Sequence, residues 1–164
     1  MDYQSLLLTL AEVSVALAGF SGVVSVFGRR RTEEWDPGDR LHLSFMLETS
    51  LAALFLSILP FAMFAAELSP RSTWAIMSGI FAVFLVLVVV AGLYRYRQLP
   101  SGQRMGMGRI YGVVSTLGDL SILALQLFNA LGPHEFSLYL IGLIWLLFSC
   151  ALSFVQLLGF LRPT

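Results

Sequence analysis

Lysine is missing altogether: all ten basic residues of this 164-residue chain are arginines. That removes any chemistry built on a lysine amine, such as a Schiff base to retinal or to a sugar. Cysteine is nearly missing as well. Cys150, the single one, forbids an intramolecular disulfide, and its apolar surroundings make it a small packing residue rather than a reactive thiol. Charge of either sign is scarce, at 12% of residues against roughly 25% in an average soluble chain. The formal net charge is zero, so nothing favours nucleic acid as a partner. Catalytic raw material is equally thin. No nucleophile, base and orienting group fall into one arrangement, and an enzyme is not expected.

What remains is apolar, 57% of the chain. Five stretches, residues 5–28, 41–66, 73–93, 110–131 and 137–161, have the length of about 20 residues that a hydrocarbon core of ~30 Å demands at 1.5 Å per residue. Only helices close their own backbone hydrogen bonds in that setting, so the expected fold is all-α: one polytopic transmembrane bundle of five spans and a single domain. Turn residues fall between the stretches. Asp36-Pro37-Gly38 starts the second, and Ser69-Pro70 and Gly132-Pro133 mark two hairpin tips. Ala16-Leu17-Ala18 has the look of a signal-peptidase site, but no basic residue precedes it and three arginines follow, so a retained helix is expected.

The arginines orient the bundle. Arg29, Arg30, Arg31, Arg40, Arg95, Arg97, Arg104, Arg109 and Arg162 fall on one side and Arg71 alone on the other, which places the N-terminus outside and the C-terminus in the cytoplasm. The expected location is the bacterial cytoplasmic membrane. Tyr94, Tyr96, Tyr111 and Trp35 at the inner boundary and Trp74 and Tyr139 at the outer one read as interfacial anchors. The third stretch, almost purely apolar, is expected to face lipid.

A shift of 71 residues lays the second and third spans on the fourth and fifth. Ser44, Ser50, Trp74 and Ser78 then meet Ser115, Ser121, Trp145 and Ser149, and Glu48 meets Asp119. Compositional coincidence or a parallel repeat of two hairpins, 41–93 and 110–161, accounts for this equally well.

Three carboxylates fall inside spans: Glu12, Glu48 and Asp119. A charge at the bilayer centre costs at least ~2.5–3.5 kcal/mol, so each needs a partner, a proton or water. No basic residue shares their depth unless Arg40 or Arg109 snorkels inward. Ser115, Asp119, Gln126 and Asn129 form a polar stripe on the fourth span, and Gly142, Ser149, Ser153 and Gln156 one on the fifth. Two functions fit. In one, a small homo-oligomeric channel or transporter carries protons or cations along Asp119, Glu48 and Glu12 with Ser115, Gln126 and Ser149. In the other, a non-transporting membrane interaction protein uses the same groups as interhelical hydrogen bonds.

Small residues recur at close-packing spacing in Ser14, Ala18, Gly22 and Ser25 of the first span and in Gly108 and Gly112 beside the fourth, for packing within the chain or between subunits. The glycine-rich run 101–109 follows no strand and lacks a P-loop lysine, so its arginines suit lipid phosphates rather than a nucleotide. His42 and His134 belong to opposite sides of the membrane, and neither a metal site nor a cofactor is expected. The expected partners are the bilayer, further copies of the chain and other membrane proteins.

Overall fold

The computed structural model describes the backbone of residues 3–31, 37–98 and 109–157, and the side chains within 3–25, 40–98 and 112–156. Trp35, the Asp36 cap, the loop 101–108 with Gly108, the side chain of Tyr111 and the end of the fifth span lie outside the described residues. Five helices make up the described chain: α1 (Tyr3–Arg31), α2 (Pro37–Ala65), α3 (Pro70–Gln98), α4 (Arg109–Leu131) and α5 (Phe136–Leu157). All five are long and apolar enough to cross a membrane. The chain is a multi-pass helical membrane protein.

Local chemistry sets the helix ends. Prolines open α2 and α3, where the missing N–H has no helical partner to lose. Ser69 caps α3, its Oγ accepting from the backbone N–H of Ser72 at 3.2 Å. At the end of α2, Glu67 adopts a left-handed conformation with φ of 60°. Its N–H and that of Leu68 reach back to the carbonyls of Phe64 and Met63, a Schellman closure. After α4 the longer of these two bonds recurs, the His134 N–H donating to the Asn129 carbonyl at 3.2 Å, while proline at 133 removes the shorter one and the Asn129 side chain adds further ties. Its Oδ1 accepts from the Glu135 N–H at 2.7 Å and its Nδ2 donates to the Glu135 carbonyl at 2.9 Å and to Ser78 Oγ at 2.8 Å.

The helices alternate up and down. The Tyr3 ring meets Trp74 and Phe136 at centroid distances of 6.0 and 5.2 Å, so the start of α1 sits beside both hairpin turns. At the other end Phe20 meets Phe154 at 5.0 Å. The two hairpins interleave: α2 packs more extensively on α5 than on its own partner α3, and α3 more on α4, while α1 covers α2.

Proline also shapes the middle of the bundle. Pro60, buried inside α2, has no N–H to offer the carbonyl four residues earlier, that of Leu56. The Tyr139 hydroxyl takes the vacant role and donates to the Leu56 carbonyl at 2.6 Å. A local helix defect thus becomes a tie between α2 and α5, as a medium without water requires.

Several expectations change at this level. Trp74, 4% exposed, and Tyr139, fully buried, are core residues rather than outer anchors; with Phe81, Phe64 and Phe136 they form a connected group of ring contacts. Hydropathy and end position are the same for a ring facing lipid and one facing a neighbouring helix, so sequence position alone misassigned them. Tyr94 and Tyr96 are exposed near the far end of α3, as anchors would be. The third span faces outward on one side only: Thr73, Trp74, Met77, Ser78, Phe81, Ala82, Leu85 and Val88 give it a buried face, while Ile76, Val83, Leu87 and Val90 stay exposed. Finally, α2 and α4 end at Ala65 and Leu131, 66 residues apart. The turns therefore follow a different register from the 71-residue shift, and Trp145 enters α5 about a turn and a half deeper than Trp74 enters α3.

Candidate functional site

The three intramembrane acids occupy three different settings. Glu48 of α2 accepts from Arg95 Nη1 of α3 at 2.6 Å and from Ser44 Oγ, one turn away, at 2.8 Å. Arg95, rather than Arg40 or Arg109, supplies the cation, because α3 continues to Gln98 and its last turns lie level with the first half of α2. Both side chains are about two-fifths exposed, so the pair sits at the bundle's margin.

Asp119 of α4 is more enclosed. Trp145 Nε1 of α5 donates to its Oδ1 at 2.7 Å, and Ser115 stands one turn earlier on α4. Gly118 makes this possible. A Cβ at that position would lie within 1.8–2.8 Å of three atoms of the Trp145 ring, so only glycine lets the indole come this close to α4 with its N–H on the carboxylate. Small-residue spacing singles out Gly108 and Gly112 and not Gly118. Adjacency to the one acid in the stripe was the available signal.

Glu12 of α1 is exposed and makes no hydrogen bond or ion pair with any described residue. Its neighbours one and two turns on, Ala16 and Gly19, are exposed too, and no other described helix comes within 4 Å of where a Cβ on Gly19 or Gly22 would lie. The small-residue stripe is thus split. Ser14 and Ser21 are buried, their hydroxyls turned back onto the carbonyls of Leu10 and Ala18, whereas Ala18 and Ser25 are half-buried and Gly22 is open. Gly112 is equally open.

The polar stripes do face inward. Gln126 and Asn129 are fully buried, and Gly142, Ser149, Ser153 and Gln156 line the inner side of α5. Gln126 donates to the Leu138 carbonyl at 3.0 Å across the α4–α5 hairpin. Ser115 joins Asp119, but Gln126 lies two turns nearer the hairpin tip, and Glu48 is held on another pair of helices. Glu48 and Asp119 are therefore engaged separately, each by a partner within its own hairpin. No metal-binding group of three His, Cys, Asp or Glu occurs among the described residues. No protein-family model, curated protein or solved structure matches this chain.

Proposed function

We propose that this chain is a non-transporting membrane interaction protein of the bacterial cytoplasmic membrane, an accessory, assembly or signalling component that docks other membrane helices on the outward face of α1. One observation carries the reading: of the three intramembrane acids, Glu48 and Asp119 are occupied as locks between helices, and only Glu12 faces outward with no partner among the described residues. A carboxylate facing hydrocarbon costs at least ~2.5–3.5 kcal/mol, which a donor on a neighbouring helix would offset. Ala16, Gly19 and Gly22 beside it allow a helix backbone to come close. The partner is a different protein presenting an arginine, lysine, amide or hydroxyl. A two-fold contact between copies centred on this face would instead set Glu12 against Glu12.

The arginine asymmetry supports an N-out, C-in orientation. The exchange of packing partners between hairpins, α2 with α5 and α4 with α3, supports a parallel repeat of 41–93 and 110–161, in the 66-residue register of the turns.

A photo-crosslinking residue at Ala16 tests this in living cells, with the same residue at Val83, on the exposed side of α3, as control. The expected result is a discrete adduct with another protein from position 16, none from 83, and loss of the adduct in Glu12→Leu with retention in Glu12→Gln. An adduct with a second copy alone overturns the choice of partner. Proton or cation flux in proteoliposomes that falls in Asp119→Asn or Glu48→Gln overturns the reading and favours the channel.

A further inference from the structure

The α2–α3 contact is the looser of the two that each of these helices makes with its neighbours in the hairpin pairs, and a furrow opens along it towards the surrounding membrane. Its volume is about 460 Å³. Ala52, Phe55 and Leu59 of α2 and Phe84, Leu87 and Ala91 of α3 form its walls, and Glu48 stands at one end as the single charged lining residue. From Glu48 to Leu59 the furrow follows α2 for eleven residues, about 16 Å. That length suits part of one extended acyl chain within a ~30 Å hydrocarbon core.

The mouth is as informative as the walls. Glu48 and Arg95 meet there while both stay partly exposed, and Arg95 uses Nη1 for both of its hydrogen bonds to described residues, Glu48 and Ser44. A guanidinium has five N–H donors in a planar fork, and the rest of that fork can take a phosphate. Beside it, the Glu48 carboxylate can accept from an ammonium but repels a second anion. The mouth thus presents one positive and one negative group at one end of an apolar slot.

We infer that the furrow is a binding site for a zwitterionic phospholipid, with one acyl chain between α2 and α3, its phosphate on Arg95 and its ammonium on Glu48. The lipid belongs to the leaflet on the Arg95 side. Ordinary annular lipid makes no such choice of headgroup, and an anionic lipid would meet Glu48 unfavourably.

Native mass spectrometry of the purified chain tests the site, with phosphatidylethanolamine and phosphatidylglycerol of identical acyl chains added in turn. The parent is expected to retain one phosphatidylethanolamine in preference to phosphatidylglycerol. Arg95→Gln is expected to weaken retention about tenfold or more, the scale of one lost charge-assisted contact. Glu48→Gln is expected to shift the preference toward phosphatidylglycerol. Ala91→Trp, which leaves both charges in place and fills the slot, is expected to weaken retention of either lipid. Equal retention of the two lipids by the parent overturns the headgroup assignment, and retention undiminished in both Arg95→Gln and Ala91→Trp overturns the site.

Discussion

Gly112 and Gly118 lie six residues apart on α4 and meet opposite surroundings. A methyl group at 112 finds open space, while one at 118 runs into the Trp145 indole. Gly118→Ala must therefore displace the ring, lengthen its bond to Asp119 and overpack the contact, at a cost of about 1–3 kcal/mol. Gly112→Ala costs nothing sterically and gains up to about 1 kcal/mol of helix propensity. Thermal unfolding in detergent is expected to separate the two, with a lower midpoint for Gly118→Ala and an equal or higher one for Gly112→Ala. Tryptophan fluorescence should shift for Gly118→Ala alone. Equal midpoints would refute this account of the indole. Both glycines look alike in the sequence, because spacing shows that a backbone can be approached and not that anything approaches it. The inward turn of Gln126, Asn129, Ser149, Ser153 and Gln156 was legible for the opposite reason: a polar group among leucines has one favourable side.

At the scale of the helix, the defect at Pro60 and the hydroxyl of Tyr139 form one unit. Tyr139→Phe leaves the Leu56 carbonyl buried with neither its helical donor nor its substitute, which is expected to cost about 1–3 kcal/mol. Pro60→Ala restores an N–H in α2, so the double variant Pro60→Ala/Tyr139→Phe should lose less stability than the two single changes summed. Strict additivity in a thermal or denaturant series would show that the tie does not depend on the proline. The number of helices and most of their limits could be read from hydropathy, since membrane thickness dictates length. Their pairing could not. The apolar faces of α3 are interchangeable on any hydropathy scale, so neither the core role of Phe81 nor the reach of Arg95 to Glu48 was visible before the helices were placed side by side.

For the whole molecule, the interleaving of α2 with α5 and of α3 with α4 means that neither hairpin buries its own apolar face. A chain divided between Gln98 and Arg109 is therefore expected to assemble when the two parts are co-expressed and to yield little stable product when either is made alone. Co-purification of the parts from detergent would check this, and two separately stable halves would contradict it. The ring contacts of Tyr3, Phe64, Trp74, Phe136 and Tyr139 gather at the hairpin turns, while α2 and α3 meet at the far end of their furrow through Glu48 and Arg95. In mechanical terms the hairpin is a pair of tweezers. Its pivot is an aromatic rivet, and the gap between its jaws is governed by one electrostatic catch, which a bound headgroup could tighten or release without disturbing the pivot.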